Sequence, residues 1–294
     1  MEYLQYLWFV LIGVGVGALG TIIGAGGGFI LMPILLLGPK SLLTVLLPDL
    51  PSIPPDKLPE RLTAISLAVV CCNAFSGSYW YARMKRIDFK SGLLFLLTGV
   101  PGAAAGAYVV TYIPGHAFNL AFGLFLIGGG TYIFRKTFGD GRHSHGSRPT
   151  FRRSVVDAEG VCHDYGYNLA LGMTLSFLVG LLSSILGIGG GIIHVPAMVN
   201  LLNFPVHLAT ATSHFILAAM TFVGTVVHVL KGGLTVAEVP GLLALCAGAI
   251  IGARLGADLS RRIHGLWIMR ILAIVLSLVG LRVLVMAITA LLRR

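Results

Sequence analysis

The chain has 294 residues, of which 56% are hydrophobic and only 11% are charged, and its net charge is +10. Soluble domains carry about 25% charged residues, so this chain has too little polar surface for a water-facing globule, and we predict a membrane protein. A basic charge would suit nucleic acid in a soluble protein. Here the cations sit in a few short loops, as membrane topology requires, so nucleic acid is set aside as a partner.

Ten apolar runs follow one another along the chain, and most approach the roughly 20 residues that a spanning helix needs. They cover 7–23, 28–47, 62–81, 91–113, 117–134, 167–186, 191–204, 208–230, 236–257 and 266–291. Runs 28–47 and 191–204 each follow a glycine cluster and contain a proline, so we expect them to be broken or re-entrant. The first run leads into glycines rather than a cleavage site, which predicts a retained span. The fold class is an all-α polytopic membrane protein.

Two blocks of sequence recur in the same order, which divides the runs into two sets of five. The segment 24–33 matches 187–196, with the glycines and the proline kept. The other matched pairs are Thr21 with Ser184, Thr63 with Thr210, Ser66 with Ser213, Gly77 with Gly224 and Ser78 with Thr225. An odd number of spans makes the second copy inverted across the membrane. We therefore predict a first repeat at 1–135, a cytoplasmic linker at 136–166 and a second, inverted repeat at 167–294.

Positive charge predicts the orientation of the chain. The loops 82–90, 135–166 and 258–265 carry most of the cations and fall on one side of a ten-span protein, which is assigned to the cytoplasm of a prokaryotic inner membrane. The terminal Arg293 and Arg294 mildly oppose this assignment. The linker is expected to be solvated, and its histidines and Cys162 fit no standard metal spacing. The proline-rich loop 48–61 is interpreted as a spacer, with an outer lid as the alternative.

The two glycine clusters are the leading candidate for a substrate site. Glycines inside apolar segments allow unusual torsions and close approach, and a broken helix presents its N-terminal end to a ligand. Such an end favours an anion. The predicted substrate-binding glycines are Gly26, Gly27, Gly28, Gly189, Gly190 and Gly191, and Pro33 and Pro196 are assigned structural roles. The alternative is that the glycines serve only close helix packing.

Small polar side chains around the glycine clusters are the next candidates. Hydroxyls at matched positions would coordinate the oxygens of an oxyanion. The candidates are Thr21, Thr63, Ser66, Ser184, Thr210, Ser213 and Asn73. For any one of them, hydrogen bonding between helices is an equally good interpretation.

Ionisable side chains within the spans break the symmetry between the halves. His194, His214 and Arg254 lie in the second half, have no counterpart in the first, and are included as substrate-binding candidates. Histidine changes charge near neutral pH, so proton coupling through His194 or His214 is a hypothesis. His228 lies near a helix end and is interpreted as facing the interface. Arg254 is expected either to snorkel or to bind an anion on its way in.

Catalytic motifs are missing from the sequence. It has no acid pair within a span, no H-E-x-x-H, no G-x-S-x-G and no Walker motif. We therefore expect a protein that is not an enzyme, that has no catalytic residues, no bound metal and no cofactor, and that is not driven by its own ATP hydrolysis.

The double motif G-x-G-G-G-(x)4-P at 24–33 and 187–196, together with 252–256 (GARLG), resembles the sulfite exporter TauE/SafE family over nearly the whole chain. The resemblance implies a secondary transporter for sulfite or organosulfonates such as sulfoacetate. Residue by residue it supports the six glycines and the two prolines named above. The expected partners are a small anionic substrate and membrane lipid. The sequence leaves open whether transport is coupled to a proton or another ion, whether the protein forms a homodimer, and in which direction it transports. The alternative function is a metal-cation transporter that uses the histidines.

Overall fold

The structure is a computed structural model that describes residues 2–38, 40–54, 57–113 and 149–264, with scattered positions at 124–131 and 267–285. The helices are α1 (Glu2–Ile23), α2 (Gly28–Leu37), α3 (Lys40–Leu46), α4 (Leu58–Arg83), α5 (Phe89–Val109), α6 (Leu169–Leu186), α7 (Gly191–Leu201), α8 (Val206–Leu230) and α9 (Val239–Ser260). The strands are β1 (Phe151–Val156) and β2 (Cys162–Tyr167), and 3-10 turns occupy Leu50–Ser52, Val110–Tyr112 and Val236–Glu238.

Six helices among the described residues are long and apolar enough to cross a membrane, namely α1, α4, α5, α6, α8 and α9. The prediction of a polytopic helical membrane protein is therefore confirmed. Run 28–47 is broken into α2, of 10 residues, and α3, whereas run 191–204 contains only the 11-residue α7. At 1.5 Å per residue α2 and α7 are each roughly 15 Å long, about half of the bilayer core. The predicted spans 117–134 and 266–291 lie largely outside the described residues.

Glycines join the long helices in two close pairs. In the α1–α9 pair, a Cβ on Gly252 would overlap the Val14 carbonyl, and one on Gly248 would overlap the Val10 carbonyl. In the α5–α6 pair, a Cβ on Gly102 would overlap the Phe177 carbonyl. Without a large hydrophobic drive between helices in lipid, such small-residue contacts bring the backbones together. The helix α4, 78% buried over its apolar window against 39–50% in the other five, lies at the centre.

A β-hairpin corrects the expectation of a solvated linker over its described part. Strands β1 and β2 pair antiparallel, with Arg153 opposite Tyr165 and Phe151 opposite Tyr167. The turn is closed by Asp157, whose Oδ1 accepts hydrogen bonds from the Glu159 and Val161 amides. Tyr165 and Tyr167 are buried, because one face of the hairpin packs against the helices.

The hairpin is attached to the start of α5 by an ion pair in which the carboxylate is buried and the guanidinium is partly exposed. The Arg153 guanidinium donates to Asp88 at 2.7 Å, and the Tyr165 and Ser91 hydroxyls donate to Asp88 Oδ2, each at 2.6 Å. Burial alone would raise the pKa of Asp88. The hydrogen bonds from Arg153, Ser91 and Tyr165 outweigh it and hold that pKa below its usual value.

The helix α9 begins with an ion-paired cap that matches the cap of α5. Thr235 caps the 3-10 turn that leads into it and forms a capping box with Glu238, and Arg61 pairs with Glu238 at 2.6 Å. In the second block of the repeat, Thr235 corresponds to Asp88 and Glu238 to Ser91. Both caps therefore hold an arginine from elsewhere in the chain.

Candidate functional site

The two glycine clusters form loops that contact each other. Gly26 has φ of 74° and Gly189 has φ of 67°, both in the left-handed region that favours glycine. A Cβ on Gly28 would lie 2.8 Å from the Ile188 carbonyl, and one on Gly191 would overlap the Gly24 carbonyl. The helices α2 and α7 therefore each begin against the opposite loop. The first N–H groups of each helix lack intrahelical acceptors, so two helix N-termini lie in one region.

Apolar side chains cover both glycine loops. A Cβ on Gly26 would lie 2.7 Å from Val70 Cγ1, and one on Gly189 would lie 3.3 Å from Leu217 Cδ1. Val70 on α4 and Leu217 on α8 occupy matched positions and are fully or almost fully buried. The glycine loops are therefore closed off by a buried apolar layer in this structure.

Several predicted hydroxyls hold the loops in place. Ser66 Oγ donates to the Gly187 carbonyl at 2.6 Å, and the matched Ser213 Oγ donates to the Gly24 carbonyl at 3.2 Å. Thr210 Oγ1 donates within its own helix to the His207 carbonyl. The bonds of Ser66 and Ser213 join separate parts of the chain and so fit the packing alternative, whereas the bond of Thr210 is local. A part in substrate binding stays a prediction for all three. Thr63 lies against Gly187, and its hydroxyl has no partner among the described residues.

Three helices bring other predicted residues together in a buried polar group, which we name the Thr21 cluster (Thr21, Asn73, Gly77, Tyr81 and His214). Thr21 Oγ1 donates to Asn73 Oδ1 at 3.1 Å and lies 3.3 Å from His214 Nε2. Tyr81 Oη donates to the Thr21 carbonyl at 2.7 Å. A Cβ on Gly77 would overlap the His214 ring.

The Thr21 cluster is fully buried and keeps unused polar atoms. Its polar side chains are at most 1% exposed. Asn73 Nδ2 and His214 Nδ1 have no hydrogen-bond partner within the described part of the chain. The Asn73 amide is therefore a buried donor that is free to bind a ligand. Thr21 lies three residues before Gly24, so this donor is next to the first glycine loop.

A second polar group occupies the matched positions of the other half, and we name it the Ser184 cluster (Ser184, Gly224, Thr225 and His228). His228 is fully buried, so the expectation that it faces the interface was wrong. A Cβ on Gly224 would lie 3.0 Å from Ser184 Oγ. Ser184 is therefore the predicted residue around which this second group forms.

Two candidates lie apart from the polar clusters. His194 on α7 is buried and packs against Phe95, with ring centroids 6.1 Å apart. Arg254 is exposed, and its guanidinium carbon lies 4.7 Å from the centroid of the Trp80 ring. Their roles in binding stay predictions. Pro33 and Pro196 lie inside α2 and α7, and their structural roles stay predictions.

Tyr81 was missed by sequence reasoning. It lies near the end of a span, where tyrosine commonly marks the interface, but its side chain is 1% exposed and its hydroxyl is engaged inside the protein. The signal that was available is the repeat, because Tyr81 corresponds to His228 in the second block. A pair of polar residues at matched positions of the repeat indicates that both positions face the protein interior.

Buried polar side chains inside a multi-pass helical membrane protein are typical of proteins that move solutes across the membrane. The model of the family "Sulfite exporter TauE/SafE" matches residues 9–283. The probable membrane transporter protein YunE of Bacillus subtilis is 32% identical over 277 residues, covering 94% of this chain and 96% of the relative. The probable membrane transporter protein MJ0441 of Methanocaldococcus jannaschii is 24% identical over 280 residues, covering 92% of each chain. No solved structure matches.

This chain belongs to the sulfite exporter TauE/SafE family, as its motifs predicted. It is an integral, multi-pass membrane protein of the transporter type, and a prokaryotic inner membrane fits the bacterial relative.

Proposed function

We propose that the protein is a secondary transporter that moves a small sulfur oxyanion, sulfite or a sulfonate, across the cytoplasmic membrane. The Thr21 cluster and the two glycine loops beside it would hold the anion. The helix N-termini of α2 and α7 and the Asn73 amide would donate hydrogen bonds to its oxygens.

The observation that carries this proposal is a buried donor in a region without carboxylates. Asn73 Nδ2 has no partner among the described residues, and the cluster around it contains no acidic side chain. Within the described ranges, the buried carboxylates are Asp88, Asp157 and Glu238, and each lies at a helix start or in the hairpin turn. A bare cation would require acceptor oxygens instead, since hard cations are held by carboxylates and carbonyls.

Proton coupling is the second candidate, and one contact favours it. His214 Nε2 lies 3.3 Å from Thr21 Oγ1, so a change in the protonation of His214 would reach the same side chains that hold the substrate. The anion and a proton would then share one cluster. A metal-cation transporter using His194, His214 and His228 is the competing proposal.

Replacing Asn73 with aspartate separates these proposals, because the side chain keeps its shape and a carboxyl oxygen replaces the amide donor. In purified wild type, sulfite or sulfoacetate should raise the melting temperature, since a ligand that binds the folded state stabilises it. Asn73→Asp should abolish this shift and leave Zn²⁺ or Ni²⁺ without effect. The matched control is Asn168→Asp at the start of α6, where either side chain caps the helix. A metal-induced shift that persists or grows in Asn73→Asp, with no response to sulfur oxyanions in wild type, would contradict the proposal.

A further inference from the structure

The Ser184 cluster resembles a binding site in its geometry, and the proposed function assigns it no role. Thr225 and His228 are three residues apart on α8 and therefore lie on one face of that helix. Gly224, one turn before His228, lies opposite the Ser184 hydroxyl of α6. A Cβ at Gly224 would lie in the space between α8 and the Ser184 hydroxyl, so a glycine at this position leaves that space open.

The polar atoms of this cluster are buried and unsatisfied. Ser184 Oγ, Thr225 Oγ1 and both nitrogens of His228 have no hydrogen-bond partner among the residues that the structure describes. The His228 ring lies near the Ser184 carbonyl without meeting it in hydrogen-bonding geometry. Ser184 is 1% exposed and His228 is fully buried. Buried polar groups in folded proteins are rarely left without hydrogen-bond partners, so several in one place indicate a site that a ligand completes.

The residues at the matched positions of the Thr21 cluster, in contrast to Ser184 and His228, have hydrogen-bond partners within the protein. Thr21, which corresponds to Ser184, bonds to Asn73, and Tyr81, which corresponds to His228, bonds to the Thr21 carbonyl. At these two matched positions the side chains are therefore satisfied within the protein in the first half and unsatisfied in the second, whereas the third pair, Ser78 and Thr225, has no hydroxyl partner in either half among the described residues. The repeat supplies two similar frames, and the second frame leaves the Ser184 hydroxyl and both nitrogens of the His228 imidazole without a partner in the described part of the chain.

The chemistry of the Ser184 cluster suits an oxyanion. Two hydroxyls and an imidazole N–H are donors, and the cluster contains no carboxylate. In the orientation predicted from charge, α4 ends at the cytoplasmic side near Tyr81 and α8 ends at the outer side near His228. A solute that crosses between these helices would meet one cluster on each side of the apolar layer formed by Val70 and Leu217.

We propose that the Ser184 cluster is a second oxyanion subsite, separate from the Thr21 cluster, at which the transported anion is bound on the outer side of the apolar layer. This inference rests on the proposed function, because it assigns the same class of anion to both clusters.

Two kinds of variant test the subsite. The double change Ser184→Ala with Thr225→Val removes both hydroxyls, and Gly224→Ala places a methyl group 3.0 Å from Ser184 Oγ and fills the space. The controls are Ser176→Ala on α6 and Thr221→Val on α8, because both hydroxyls are buried and donate to backbone carbonyls. Titration calorimetry with sodium sulfite should resolve two binding events in wild type and in both controls. The subsite variants should weaken one event by about tenfold, the equivalent of one hydrogen bond, and leave the other unchanged.

A crystal structure with selenite, a heavier analogue of sulfite, locates the two events directly. Anomalous density among Ser184, Thr225 and His228, in addition to density at the Thr21 cluster, supports the subsite. Density at the Thr21 cluster alone, with one calorimetric event that the subsite variants leave intact, overturns this inference and leaves the proposed function standing. No selenite at either cluster and no heat with sulfite overturn both.

Discussion

The two halves of the molecule share a frame and differ in chemistry. Matched pairs that hold the frame keep their roles, since Ser66 and Ser213 each bond to a glycine loop and Val70 and Leu217 both cover those loops. Three pairs that differ in polarity or size include a member of a polar cluster: Leu67 with His214, Asn73 with Met220, and Tyr81 with His228. Two further differences, His194 in place of Leu31 and Arg254 in place of Ala107, lie outside the clusters. The inverted arrangement of the halves stays a prediction.

The largest expected effect comes from breaking the shared frame. Gly191→Ala would drive a methyl group into the Gly24 backbone, and neither backbone segment is free to move. Such overpacking costs roughly 1–3 kcal/mol or more, so we expect a large loss of folded protein by size-exclusion chromatography and a lower melting temperature. The control is Gly15→Ala on α1, where nothing lies within 4 Å of the new Cβ. Equal yield and melting temperature for the two variants would show that the loops do not meet.

The second-largest expected effect is a loss of stability when the ion pair that attaches the hairpin is removed. Arg153→Met leaves Asp88 buried without its ion partner, and we expect a loss of about 2–3 kcal/mol in unfolding free energy. This lies below the roughly 3–5 kcal/mol of a fully buried pair, because Arg153 is 22% exposed. Chemical denaturation measures it, and Arg152→Met on the opposite face of β1 is the control.

The pH dependence of stability follows from the same ion pair. The pKa of Asp88 is lower in the folded protein than in the unfolded chain, so its contribution is present above the unfolded pKa and is lost as pH falls through the folded value. Asp88→Asn should therefore reduce the acid sensitivity of unfolding, and an unchanged acid profile would remove this explanation.

A smaller effect tests the chemical difference between the halves. His214→Leu gives the Thr21 cluster the residue that the other half has at Leu67, and it removes the contact to Thr21 Oγ1. We expect sulfite flux to fall about tenfold, in keeping with the loss of one buried hydrogen bond. His214→Gln should retain more flux and flatten its pH dependence, whereas His194→Gln, against Phe95, should leave the profile as in wild type. A pH profile that is unchanged in His214→Gln would exclude proton coupling through this residue.

Much of the fold was readable from the sequence, because membrane helices carry long apolar runs and broken helices carry glycine and proline. The hairpin was not predicted. Its strands mix charged, aromatic and small residues without a regular alternation, and Tyr167 is buried because Phe95 of α5 and Phe204, just after α7, lie beside it. A single chain segment does not reveal such a neighbour.

The sequence identified individual residues of the candidate site, but it did not predict which of them lie together. Thr21, Asn73 and His214 were each named, but the hydrogen bonds between them span 52 and 193 residues. Periodicity reports only local faces of a helix, so it does not pair residues across such distances. His228 was misplaced for a related reason, since position near the end of a run says nothing about burial by other helices.

Sulfite counterflow in proteoliposomes tests the central claim most directly. Proteoliposomes that contain the wild-type protein and are loaded with unlabelled sulfite should accumulate more labelled sulfite than protein-free liposomes. External sulfonate should compete with this uptake. Asn73→Asp should abolish the uptake, and Asn168→Asp should retain it. The absence of flux with any sulfur oxyanion, or flux that follows a metal cation and is insensitive to Asn73→Asp, would contradict the account.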